Sequence, residues 1–160
     1  MKELFAKKLY YEYDVDRGLS EIDYIQLVKD VYMELTRIAR EGSLVLYGDL
    51  GVFRKLKGSG YKGNELLVIL GAIVGACSEY EAANDRPLLS SIVINRDTRK
   101  PGLGFFYLST VPTSLSRKNW EDNNIRPPEI VMRQRDAFWL HEVQKVHEWW
   151  QKQPLDERNG

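Results

Sequence analysis

The chain has 160 residues, of which 43% are hydrophobic and 29% are charged, and this length suits one domain with its own core. Its 23 lysines and arginines balance 23 aspartates and glutamates, which excludes a strongly basic protein that coats nucleic acid and an acidic disordered chain. No apolar stretch follows the charged N-terminus, so we expect a cytoplasmic protein with neither signal peptide nor membrane anchor.

The most regular helical pattern runs from Leu19 to Arg40, where apolar residues recur at spacings of three and four. Ser20 precedes this run as an N-terminal cap, because its hydroxyl can accept a hydrogen bond from a free amide of the first turn. Gly42 follows the run at the place of a C-terminal cap. These signals predict one long amphipathic helix.

Shorter elements are predicted between this helix and residue 110. The run 43–47 is rich in β-forming residues, and a helical turn through residue 53 and a glycine-rich loop over 57–63 follow it. A second helix is predicted from Asn64, which can cap it, to about Ala83. Apolar runs at 88–94 and 105–109 then flank a stretch of turn residues and charges, which is the pattern of a β-hairpin with a long tip.

The last element predicted is a helix over about 130–151, reached through a polar and irregular connection. Its apolar positions are spaced by four, three and four, which draws one stripe down the helix and predicts that it packs on the rest of the domain. Phe138 and Trp149 lie off this stripe and favour an interface with a second copy or a protein partner. The predicted interface residues are Phe138, Trp139, Trp149 and Trp150.

The predicted elements occur along the chain in the same order as the elements of a winged helix-turn-helix. We therefore predict an α+β fold in a single domain over residues 1–160. Its winged-helix core covers about 19–110 and has a long β-hairpin wing, and a C-terminal arm and helix are added over about 111–152. In such a fold the second helix of the turn enters the DNA major groove, while the wing contacts the backbone or the minor groove.

Four short segments support the same fold by resemblance. They are Leu46-Tyr47-Gly48-Asp49-Leu50, Leu70-Gly71-Ala72-Ile73, Arg86-Pro87-Leu88-Leu89 and Gly102-Leu103-Gly104-Phe105. Together they resemble the C-terminal DNA-binding domain of the alkylguanine alkyltransferases and their alkyltransferase-like relatives, over about residues 44–107. That family carries a Pro-Cys-His-Arg nucleophile segment where this chain has Ile92-Val93-Ile94-Asn95-Arg96. The resemblance therefore implies a DNA-binding scaffold without alkyl transfer.

Charge is distributed unevenly along the chain. Residues 51–118 contain 10 lysines and arginines against 5 acidic residues, whereas residues 1–50 contain 7 against 10 and residues 119–160 contain 6 against 8. A protein that binds DNA needs cations on the face that meets phosphate even when its total charge is zero. The predicted nucleic-acid-binding residues are Arg54, Lys55, Lys57, Lys62, Asn64, Arg96, Arg99 and Lys100.

The sequence offers little support for catalysis or metal binding. Cys77 lies in an apolar helix without a base in sequence reach, which is typical of a small buried hydrophobe. His141 and His147 are six residues apart, so on a helix they point about 240° apart and cannot share a metal. The glycine-rich loop lacks the lysine and hydroxyl ending of a phosphate-binding loop and is interpreted as a connector. We predict neither a cofactor nor enzymatic activity.

Two functions stay open on this evidence. The first is a non-enzymatic winged-helix protein that binds duplex DNA with low sequence specificity, because the first turns of the second helix are apolar and not polar. The second is a protein-interaction module, either an accessory subunit or a small inhibitor, that uses the same scaffold. For the basic hairpin tip, the alternatives are a phosphate contact and a solvated turn.

Overall fold

Residues 19–154 are described by a computed structural model of the chain. The charged N-terminal segment, from which we expect no signal peptide, lies outside the described residues. The regular elements are α1 (Glu21–Arg40), β1 (Val45–Leu46), α2 (Gly51–Gly58), α3 (Gly63–Ala82), β2 (Val93–Ile94) and α4 (Glu129–Lys152). Short 3-10 turns connect several of them. Across residues 19–154, no helix combines the length and the apolar character needed to cross a membrane.

Helix α1 confirms the first predicted helix and both of its caps. The Ser20 hydroxyl accepts a hydrogen bond of 3.1 Å from the Asp23 amide, which satisfies one of the free donors of the first turn. At the other end Gly42 takes φ +69°, and the Ser43 amide donates to the Ile38 carbonyl over 3.2 Å. This reversal is the Schellman motif, which glycine favours because it has no Cβ to clash.

The first hydrophobic core lies between α1 and α3. Helix α2 covers one side of it, and the last turns of α4 contribute Val146 and Trp150. Side chains that are fully buried at its centre include Tyr24, Val28, Leu35, Leu50, Ile73 and Cys77. Since the first half of α3 packs against this core along one side, the opposite side of that half, which carries Leu67 and Val68, is left at the surface.

The predicted β-hairpin wing is wrong, and with it the winged α+β fold. Val93 and Ile94 pair in parallel with Val45 and Leu46, so β2 takes as its partner a strand that precedes α2 and α3. The second run of the expected hairpin forms a 3-10 turn over Leu103–Tyr107. The described part of the chain is mostly helical, with this two-stranded parallel sheet.

Two phenylalanines explain why the second run does not form a strand. Phe105 and Phe106 are both buried in a second hydrophobic core, with their rings 5.2 Å apart and perpendicular. Successive side chains of a strand point to opposite faces, so a strand would bury one of these rings and expose the other. The 3-10 turn brings both rings to the same core, and the burial of two aromatic side chains outweighs the β propensity of the run.

The segment over 111–128, which the sequence predicts to be irregular, is held in place by one arginine of α4. The buried Arg135 guanidinium donates to both Glu121 carboxylate oxygens, over 2.8 and 2.9 Å, and to the Leu115 carbonyl over 2.9 Å. It also lies over the Phe106 ring, 5.0 Å from the ring centre. The hydrogen bonds from Arg135 keep the pKa of Glu121 below its ordinary value. The segment is therefore packed, although it is built only from turns.

Candidate nucleic-acid interface

Helices α2 and α3 are joined by a tight turn of four residues, 59–62. Gly60 and Gly63 have φ values of +96° and +59°, a region that other residues adopt only with strain. The half-buried Tyr61 donates its amide to the Leu56 carbonyl over 3.1 Å and packs against the first core. The turn is therefore anchored, and we refer to α2, the turn and α3, over residues 51–82, as the helix–turn–helix unit.

Two contacts fix α2 on α1. The Glu34 carboxylate accepts a hydrogen bond of 3.1 Å from the Gly51 amide at the start of α2. Lys55 forms an ion pair of 2.9 Å with Asp30. Partial burial works against ionisation of Asp30, but the hydrogen bonds from Lys55 and Gln26 prevail and lower its pKa. Lys55, one of the predicted DNA contacts, is thus already paired with a carboxylate of the protein.

The other cations of the helix–turn–helix unit are exposed. Arg54 and Lys57 project from α2, and Lys62 precedes the first residue of α3. None of the three has an acidic partner within residues 19–154. Asn64 is exposed as well, but it is the second residue of α3 and its side chain does not cap the helix. The prediction that Asn64 caps this helix is therefore wrong, because α3 begins at Gly63 and Asn64 lies inside it.

The expected hairpin tip is a compact loop over 95–102, here named the basic loop. The Asn95 amide donates to the Lys100 carbonyl over 2.9 Å, and the Arg99 amide donates back to the Asn95 carbonyl over 3.0 Å. Arg96 and Arg99 are exposed and have no acidic partner in the described part of the chain. Lys100 instead forms an ion pair of 2.8 Å with Asp136 of α4.

Tyr47 fixes the end of the basic loop. A Cβ atom at Gly102 would stand 3.2 Å from the Tyr47 hydroxyl, so the two residues are in close contact. Burial raises the pKa of Tyr47, and the backbone amide of Gly102 acts in the opposite direction by donating to its oxygen. Because Tyr47 opens the turn that leads into α2, the contact places the basic loop beside the start of the helix–turn–helix unit.

The exposed side of α3 is unexpectedly apolar. Leu67 is 59% exposed and Val68 is 53% exposed, so not all of the apolar residues in the first turns of this helix are core. Gly71, one turn further, has open space at the position of its missing Cβ. At about 100° per residue these three positions fall on the same side of the helix, but the sequence does not show which side meets the core.

The four aromatic residues predicted as an interface are placed differently from one another. Trp139 and Trp150 are buried, and the Trp139 indole donates to the Ser91 carbonyl over 2.8 Å. Phe138 is half-buried, with its ring 6.2 Å from that of Phe105. Trp149 is 38% exposed and borders an open cleft of about 640 Å³, which Arg86, Pro87 and Lys145 also line. The stripe therefore packs on the domain, and Trp149 is the most exposed of the four, with Phe138 beside it in the lining of the cleft.

Groups with nucleophilic or metal-binding chemistry are not brought together. Cys77 is fully buried, and its thiol lies 3.8 Å from the Val28 carbonyl and 3.6 Å from the Ile73 carbonyl. Burial raises the pKa of this thiol far above its ordinary value. His147 contacts the Ser43 carbonyl over 2.9 Å. Within residues 19–154, no group of three or more histidines, cysteines and carboxylates is placed to hold a metal ion.

Comparison of the chain with protein families, with curated proteins and with solved structures gave no match.

Proposed function

We propose that the protein binds duplex DNA through the helix–turn–helix unit and the basic loop, without catalysing a reaction on it. The unit presents α3 at the surface, and the basic loop lies next to the start of α2 through the contact of Gly102 with Tyr47. We also propose a cytoplasmic location, as expected from the sequence.

The observation that carries this proposal is a set of five exposed cations on the helix–turn–helix unit and the basic loop that have no acidic partner among the described residues. The set is Arg54, Lys57, Lys62, Arg96 and Arg99. An exposed cation that is already paired has little to gain from a phosphate, since it must first leave its carboxylate. A cation without such a partner releases condensed counterions when it meets the DNA backbone, which is the main source of sequence-independent affinity. Low sequence specificity follows, because phosphate contacts position a protein but do not identify bases.

The test is a titration of labelled duplex DNA by fluorescence anisotropy at several salt concentrations. If all five cations contact phosphate, the logarithm of the association constant falls with the logarithm of the salt concentration with a slope of about −4.5. Fewer contacts give a proportionally smaller slope. The absence of binding at low salt would overturn the proposal.

A second candidate function, a protein-interaction module, is favoured by Trp149. This side chain is partly exposed beside the cleft, while the three other aromatic residues considered are wholly or partly packed. Exposed tryptophans are enriched in the centres of protein interfaces because they bury a large area with few rotatable bonds. Light scattering coupled to size exclusion tests self-association through this side chain, which Trp149→Ala would abolish.

A further inference from the structure

We infer that the exposed face of α3 recognises thymine methyl groups in the major groove and so selects A·T-rich duplexes. The inference rests on the proposed DNA binding and adds to it the part of the DNA that α3 contacts. The side chains that carry it are Leu67 and Val68.

These two aliphatic side chains share a face with two other exposed positions. At about 100° per residue, Asn64, Leu67, Val68 and Gly71 fall within a sector of about 100° of the helix. The inner side of α3, which includes Leu66, buries its apolar residues in the first core. Leu67 and Val68 remain 59% and 53% exposed, so the core does not account for them.

The charges on the same helix–turn–helix unit indicate the occupant of this face. Lys62 stands at the N-terminal end of α3, and Arg54 and Lys57 project from α2, which the short turn holds next to α3. An apolar protein surface would leave these cations without partners. The major groove provides partners for both parts of the face, because phosphates line its edges and thymine methyl groups project from its floor.

The remaining residues of the face fit A·T base pairs. The Asn64 side-chain amide has both a donor and an acceptor, as the major-groove edge of adenine requires. Gly71 has open space where a side chain would stand, which allows the helix backbone to approach the bases closely. Glu65 lies about 100° around the helix from Asn64, at the edge of the face, where it does not obstruct this approach.

The experiment compares two A·T-rich duplexes of one sequence, one with thymine and one with deoxyuridine, which lacks the methyl group. Wild-type protein is expected to bind the thymine duplex more tightly, by about fourfold for each methyl group buried, the equivalent of about 0.8 kcal/mol. The double variant Leu67→Ala, Val68→Ala is expected to bind both duplexes equally and to keep the wild-type salt slope. The matched control is Leu140→Ala, which truncates a side chain 56% exposed on α4 and should keep the preference for thymine.

Each result decides between the alternatives. Equal binding of both duplexes by wild-type protein overturns this inference and leaves salt-dependent DNA binding intact, since the minor groove is the same for thymine and uracil. A thymine preference that persists in the double variant overturns it as well. Failure to bind either duplex at low salt overturns the proposed function itself. Self-association that only the double variant loses would assign the face to a second copy of the chain and overturn the inference.

Discussion

Glu81 and Arg86 form a paired, two-pronged contact at the end of α3. The guanidinium donates two hydrogen bonds of 2.8 Å, one to each oxygen of a carboxylate that is fully buried. Tyr32 donates a third hydrogen bond to the same carboxylate over 2.6 Å, and Arg86 lies over the Tyr80 ring. Arg86 neutralises the charge of Glu81, and Tyr32 donates to the same carboxylate from the other side. The contact therefore links α1 to the chain that follows α3.

Removal of the guanidinium should strongly destabilise the fold. We expect Arg86→Met to lower the free energy of unfolding by about 3–5 kcal/mol, because it leaves a buried carboxylate without a counter-charge. Urea unfolding followed by circular dichroism measures the change. Arg133→Met is the control, since it breaks an exposed ion pair with Glu129 and should cost less than about 1 kcal/mol. Equal losses in the two variants would contradict the assigned role of the buried pair.

The close contact between Tyr47 and Gly102 leads to a second prediction. Gly102→Ala should destabilise the protein by about 1–2 kcal/mol, because its Cβ would stand 3.2 Å from the Tyr47 hydroxyl and would displace the basic loop. Adding Tyr47→Phe removes that oxygen and should recover part of the loss, so the two changes are not additive. Gly48→Ala, at a position with open space, is the control. Thermal melts of Tyr47→Phe, Gly102→Ala, the double variant and Gly48→Ala would refute the contact if the losses of the two single changes simply added.

A third prediction concerns the thiol of Cys77. Because the side chain is fully buried and its pKa is raised, a thiol reagent should reach it only through opening of the fold. An unfolding free energy of at least about 5 kcal/mol makes labelling slower than in denaturant by a factor of at least about 5,000. A chromogenic disulfide reagent measures both rates. Rapid labelling of folded protein at neutral pH would show an accessible thiol and would reopen a catalytic role.

Local signals account for what is correctly predicted in the fold. α1 follows from its apolar period, the Ser20 cap and the glycine at position 42, all within the helix or next to it. The hairpin prediction is wrong because an apolar run signals a strand but does not identify its partner. Val93 pairs with Val45, which lies 48 positions earlier, and no local pattern reports that pairing.

The predicted site residues likewise depend on both local signals and long-range contacts. The sequence indicates that these basic side chains are exposed. It does not reveal that Lys55 forms an ion pair with Asp30 or that Lys100 forms one with Asp136. These acids lie on other helices, 25 and 36 residues away along the chain. Leu67 is likewise concealed among the apolar residues of α3, because only the packed structure shows which side of that helix meets the core.

This difference between paired and unpaired cations supplies the last prediction. The double variants Arg96→Ala, Arg99→Ala and Lys55→Ala, Lys100→Ala remove the same charge, so long-range attraction to DNA falls equally in both. Only the first removes cations that have no carboxylate partner in the described chain.

We expect the variant Arg96→Ala, Arg99→Ala to reduce the salt slope of duplex binding by about 0.9 for each phosphate that the protein no longer touches. The variant Lys55→Ala, Lys100→Ala should leave the slope near its wild-type value. Both should melt close to wild type, since exposed substitutions usually change stability by no more than about 0.5 kcal/mol and exposed ion pairs contribute little. Equal reductions in slope would mean that net charge, and not the set of unpaired side chains, determines binding.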